Sequence, residues 1–147
     1  MASGKSTISS KLEKKLKNYV LVDRAYLKDT VLSKVKARER ELALKLSKDA
    51  MFFIAKRLMK RKYNIILQEI RVPSVKKYLK KEIKEYKYRI KSVHLYCSLE
   101  ESKRRDSIRQ KRYIRPKLVE DLHRKYASSD PEDFIINTEK NSINNSS

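Results

Sequence analysis

Gly4-Lys5-Ser6-Thr7 heads an amphipathic stretch, and this order of residue types suits a phosphate chain. A glycine lets backbone press close to a ligand, and the first turn of a helix offers unpaired N–H groups to an anion. Lys5 would neutralise β- and γ-phosphates, the Ser6 hydroxyl would hold the Mg²⁺ that bridges them, and Thr7 would add a hydroxyl near the α-phosphate. The same residues also read as a polar helix start with Ser6 as N-cap. Gly4 is the only glycine in 147 residues, where average usage would supply about ten. The alternation of helices and strands that follows favours the phosphate reading.

Apolar spacing predicts the elements that must position these residues. Ile8, Leu12 and Leu16 give a helix over 7–16, and Tyr19-Val20-Leu21-Val22 a strand ending at Asp23. Helical spacing returns over 26–34 and again over 37–61, where Leu42, Leu46, Phe53 and Leu58 are expected to face inward. Residues 64–70 form a second strand, apolar through its middle on both faces, as in parallel sheets covered by helices. Pro73 opens a helix carrying Val75, Leu79, Ile83 and Tyr86. A third strand over 90–97, helices over 98–110 and 116–126, and a short strand over 133–137 complete the pattern. Strands alternating with helices predict a parallel α/β sheet with helices on both faces. The expected organisation is one domain over 1–138, with 139–147 a frayed Asn- and Ser-rich tail.

Ala2-Ser3-Gly4-Lys5-Ser6-Thr7, the strand ending in Asp23, the strand ending in Gln68-Glu69 and the Arg-rich segment after the third strand together resemble the small P-loop kinases. The pattern is most similar to the zeta-toxin, chloramphenicol phosphotransferase and polynucleotide-kinase-like group, from Ala2 to about Ser142. The resemblance implies a P-loop kinase-like fold and transfer of the γ-phosphoryl group of Mg·ATP to a hydroxyl acceptor, a small molecule or a nucleotide-type compound. It places Ser3, Gly4, Lys5, Ser6 and Thr7 on the phosphates. It gives Asp23 the task of orienting or deprotonating the acceptor hydroxyl, whereas the residues alone equally support Asp23 as the cap of the helix beginning near Tyr26. Arg24 reads either as a holder of an anionic acceptor or as a surface charge. Glu69 resembles a Walker B carboxylate, with Gln68 beside it, and either could face the metal. The segment 103–115 matches the lid, in which Arg104, Arg105 and Arg109 stabilise the transferring phosphoryl group, although a basic helix in solvent has the same composition. Asn137 falls where relatives contact adenine, or in a turn.

The match lacks one part. The first glycine of G-x-x-x-x-G-K-[ST] would lie upstream of Met1, and the first, central strand that feeds the loop has no counterpart. The expectation is an internal start, with about ten further residues, a strand and a turn, preceding it. The rival is a truncated, inactive product.

Composition sets the remaining expectations. Lys and Arg number 38 against 18 Asp and Glu, a formal charge of +20. Lys76, Lys77, Lys80, Lys81, Lys84 and Lys87 share the polar face of one helix, where they read either as a solvated stripe or as a track for nucleic acid. A non-catalytic nucleic-acid-binding module with a vestigial P-loop is therefore the alternative to a kinase. The single Cys97 precludes an internal disulfide, and His94 and His123 lack the company a zinc site needs. No apolar run approaches the ~20 residues that span a bilayer. The expectation is a cytoplasmic protein without a membrane partner.

Overall fold

The computed structural model describes residues 4–68, 72–108, 116–126 and 134–140. Contacts divide the chain into two compact units, one of residues 6–89 and one formed by 90–147 together with the first five residues.

Helix α1 (Lys5–Lys15), which lies in the 6–89 unit from Ser6 onward, leads into strand β1 (Tyr19–Asp23). A short helix α2 (Arg24–Tyr26), a π-helical turn (Leu27–Val31), α3 (Ser33–Arg38) and the long α4 (Arg40–Lys60) follow, then strand β2 (Asn64–Gln68). β1 and β2 pair in parallel, from Tyr19 opposite Asn64 to Asp23 opposite Gln68. The intervening helices supply the long crossover that parallel pairing demands. The predicted alternation and parallel pairing are both present. Glu13 at the far side of α1 accepts the Leu21 N–H at 2.9 Å, which pins α1 along β1.

The stripe predicted to face inward on α4 is rotated. Its buried residues are Ala43, Ser47, Met51, Phe52, Ala55 and Met59, whereas Leu42 and Leu46 are each 38% exposed and Phe53 is 61% exposed. Ala43, Ser47 and Ala55 are small and bring the α4 backbone close to its neighbours. Met51 and Met59 then fill the space between, as unbranched side chains do. These two methionines, Phe52, Ala55 and Val22 of β1 form the core with Val75 and Leu79. Fully buried Met51 makes a truncation to alanine costly, about 2–5 kcal/mol.

The helix predicted to run on from Pro73 divides at Leu79 into α5 (Val72–Tyr78) and α6 (Lys80–Glu85). Hydrogen bonds from Leu79 N to Val75 O and from Ile83 N to Leu79 O carry the helical path through the division. α4 lies along this pair. Phe52 stacks on Tyr78 at 4.8 Å, Lys48 Nζ sits 4.4 Å over the same ring, Lys56 pairs with Glu82 at 3.4 Å, and Lys62 Nζ donates to Tyr86 O at 3.2 Å. Both α4 and α6 end in the same turn. Lys62 and Lys87 take φ of 62° and 57°, with Tyr63 N donating to Leu58 O and Tyr88 N to Ile83 O.

In the unit that includes 90–147, strands β3 (Val93–Tyr96) and β4 (Phe134–Asn137) pair in parallel, and α7 (Leu99–Ser107) and α8 (Pro116–Tyr126) lie between them in sequence. Ser98 caps α7 by accepting the Glu101 N–H at 3.2 Å. Lys103 pairs with Glu120 across α7 and α8, and His123 Nε2 donates to Cys97 O at 3.1 Å. That bond fixes the proton on Nε2, since a carbonyl only accepts. Cys97, Ser102, Asp106 and Val119 are buried here. Among the described residues no helix is long and apolar enough to cross a membrane.

Candidate phosphate-binding site

Gly4 has φ of 85°, in the left-handed region where a side chain is penalised, and α1 begins at the next residue. Lys5 therefore occupies the first helical position. Ser6 and Thr7 are exposed in that first turn, and Ser9 is buried one turn later.

The end of β2 grips this turn. Gln68 Nε2 donates to Ser6 Oγ at 3.1 Å, and the Gln68 side-chain carbonyl accepts from the Ser9 hydroxyl. A hydroxyl has one proton and two acceptor lone pairs. The amide of Gln68 uses one lone pair of Ser6, which leaves the other lone pair and the proton for a ligand. Gln68 thus orients the hydroxyl that the sequence marks for the metal. Of the pair Gln68-Glu69, Gln68 faces the serine, while Glu69 lies outside the described residues.

Asp23 closes β1 directly opposite Gln68. Its Oδ1 accepts from Ala25 N at 2.7 Å and Tyr26 N at 3.4 Å, so Asp23 caps α2. Both bonds use one oxygen, and Oδ2 has no partner among the described residues. Arg24 next to it turns toward α4, with Nη2 donating to Leu44 O at 3.2 Å and Nε to Ser47 Oγ at 3.4 Å. Parallel register therefore brings Asp23 and Gln68 to the carboxyl end of one strand pair, where open α/β sheets place ligand contacts, with Ser6 bonded to Gln68.

The other sequence-predicted residues belong to the second unit. Arg104 makes a two-point pair with Glu101, Nε to Oε2 and Nη2 to Oε1 both at 2.7 Å. Arg105 gives Nε to Glu101 Oε1 at 2.6 Å, Nη1 to Thr138 Oγ1 at 2.9 Å and Nη2 to Thr138 O at 2.8 Å. It straps α7 to the residue after β4. The two guanidinium groups hold the Glu101 carboxyl down at about 2, well below the usual glutamate value. Asn137 Oδ1 accepts from Glu139 N at 2.9 Å and Lys140 N at 3.3 Å, which closes the turn after β4. Ser3 and Arg109 lie outside the described residues, as does 109–115 of the predicted lid. No group of three or more His, Cys, Asp and Glu that could hold a metal occurs among the described residues.

Ser9 and Glu101 carry no motif that marks them, Thr138 beside Asn137 fits the adenine position of relatives or a turn but binds Arg105, and the sequence supports Gln68 and Glu69 equally. Aligning the two strand ends, Asp23 against Gln68, is the one signal that would have selected Gln68.

The family model described as Zeta toxin matches residues 1–140, nearly the whole chain. The chain belongs to the Zeta toxin family. Zeta toxin proteins are P-loop kinase-like, and such proteins are phosphotransferases that generally use ATP and Mg²⁺. The short parallel strands between helices accord with that fold. No curated protein matches the chain.

Proposed function

We propose that the protein transfers the γ-phosphoryl group of Mg·ATP to a hydroxyl acceptor. The observation that carries this reading is the Gln68 amide on Ser6 Oγ, which orients the phosphate-loop serine from the carboxyl end of β2.

The donors at this point suit magnesium held mainly by nucleotide phosphates. Mg²⁺ takes hard oxygens, keeps several waters and accepts few protein ligands in phosphoryl-transfer sites. Ser6 Oγ would hold it, with Glu69 beside Gln68 as the Walker B carboxylate, and it would supply charge neutralisation at the phosphates. Gly4, Lys5 and Thr7 would bind the phosphate chain, with Lys5 supplying the fixed charge.

Asp23 would act on the acceptor. Its Oδ1 is spent on the α2 cap, so Oδ2 would accept the proton of the acceptor hydroxyl. The acceptor oxygen forms a bond to the γ-phosphorus as the bond from that phosphorus to the β-γ bridging oxygen breaks, releasing ADP. Arg105 gives three of its five N–H groups to Glu101 and Thr138. Arg105 and Arg109 would carry the positive charge that the resemblance assigns to transfer.

Calorimetric titration of Mg·ATP into the chain tests the reading, with Lys5→Ala as control and with γ-labelled ATP offered to a panel of hydroxyl compounds. Binding that disappears in Lys5→Ala, followed by label on an acceptor, is the expected result. Equal binding by both proteins would overturn the assignment of the loop.

A further inference from the structure

We propose that the paired C-terminal ends of α4 and α6 form a binding surface for the phosphodiester backbone of nucleic acid. This goes beyond the phosphotransferase reading and does not depend on it.

Residues 56–62 and 76–89 contain twelve of the 38 basic residues but only two acidic ones, Glu82 and Glu85. The two segments meet in space. Lys62 Nζ reaches Tyr86 O at 3.2 Å, and Tyr88 Oη donates to Tyr63 O at 2.6 Å. Glu82 is already paired with Lys56 at 3.4 Å. Lys60, Arg61, Lys77, Lys80, Lys84 and Lys87 are exposed and have no ion pair among the described residues. A solvated helix face ordinarily intersperses both signs. Here Glu82 is engaged by Lys56 and Glu85 is the one other carboxylate of the two segments, too few to neutralise the cations.

The spacing selects a polymer. Lys77, Lys80 and Lys84 recur every three or four residues along α5 and α6, so neighbouring heads start about 5–6 Å apart, and Lys87 follows in the turn that ends α6. Such a row follows a chain of phosphates better than it encloses one. A membrane surface is disfavoured by the same helices: lying on a bilayer requires an exposed apolar face. The apolar side of α5–α6, Val75 and Leu79, is instead buried in the core. Tyr63 is 50% exposed among these cations and offers a ring to an unpaired base.

The surface is separate from the loop serine. Ser6 is tied to the last residue of β2, whereas Lys62 precedes its first. Five residues of strand put the two on the order of 15 Å apart.

The test is fluorescence anisotropy of a labelled 20-nucleotide RNA strand, and of the same sequence as DNA, against the full chain from 50 to 300 mM KCl. Neutralising the four contacts Lys60→Gln, Arg61→Gln, Lys84→Gln and Lys87→Gln together should reduce the log–log salt slope by about 3 and weaken binding at least tenfold at the lowest salt. A second variant, Lys77→Gln with Lys80→Gln, should reduce the slope by about 1.4. The control neutralises Lys11, Lys14, Lys15 and Lys17, which are exposed on and after α1 and change the net charge equally. The slope should stay with the control near its unmodified value. Equal loss in the control, no binding of either strand, or preferential binding of anionic phospholipid vesicles or polyglutamate would overturn the proposal. RNA binding without DNA binding, or the reverse, supports it and identifies the strand.

Discussion

Gln68 and Ser6 are 62 positions apart and joined by a 3.1 Å hydrogen bond from the Gln68 amide to Ser6 Oγ. The same side chain accepts from Ser9, so one glutamine holds two hydroxyls of the α1 turn. Each neutral hydrogen bond contributes about 0.5–1.5 kcal/mol, and their joint loss frees the rotamer of the serine proposed to meet the metal. Gln68→Ala is therefore expected to weaken Mg·ATP binding about tenfold, a step of about 1.4 kcal/mol. Calorimetry of the variant decides it, and unchanged affinity would separate Gln68 from the nucleotide.

Asp23 caps α2, and substitution can separate that cap from the proposed action on the acceptor. Replacing it with alanine removes the cap of α2 and should cost about 1 kcal/mol of stability. Asn caps as well as Asp, so Asp23→Asn should keep that stability in urea denaturation. If Oδ2 takes the acceptor proton, Asp23→Asn should still lose transfer by about 10²-fold or more, since an amide is no base. Loss of both properties in proportion would confine Asp23 to the cap.

Glu101 gives unit 90–147 an acid dependence of calculable sign. Arg104 and Arg105, bonded to it, lower its carboxyl from 4.5 to about 2 in the folded protein. A group with a depressed folded value stabilises the fold fully above its unfolded value, and loses that contribution as pH falls toward the folded one. Melting temperature should therefore drop between about pH 4.5 and pH 2. Glu101→Gln should flatten that part of the profile and leave Glu120, lowered by Lys103, as a smaller source of the same trend. A profile identical in the variant would remove Glu101 as its cause.

Much of the element order was legible because it rests on apolar spacing and helix starts, which are local. The four strands, a helix soon after Gly4 and the helix from Pro116 follow from such signals, whereas the pairing of β1 with β2 and of β3 with β4 does not. The rotation of α4 was not legible. A count of large apolar residues points to Leu42, Leu46 and Phe53, whereas close approach selects the stripe with Ala43, Ser47 and Ala55. Volume against a neighbour decided the face, and volume is a property of the pair. The candidate site divides in the same way. Lys5 and Ser6 are visible as a motif, but Gln68 acquires its role through register with β1, and Arg105 through a threonine 33 positions away. Both depend on contacts that no window of sequence contains.

Lys62 and Lys87 share a backbone state that makes them informative about stability. Each sits in the left-handed region at the end of a helix, φ 62° and 57°, where glycine is the usual occupant. A chain with one glycine meets this need with lysine. A side chain there costs roughly 1 kcal/mol, while glycine returns part of that through the flexibility of the unfolded chain. Lys87→Gly should therefore stabilise the protein by up to about 0.6 kcal/mol. Lys62→Gly should gain less, because Lys62 also donates to Tyr86 O and lies 5.2 Å from the Tyr86 ring, contacts that glycine loses. Urea denaturation of the two variants measures the difference. The order Lys87→Gly above Lys62→Gly is the outcome expected, and the reverse order would show that the Lys62 contacts to Tyr86 contribute nothing to the fold.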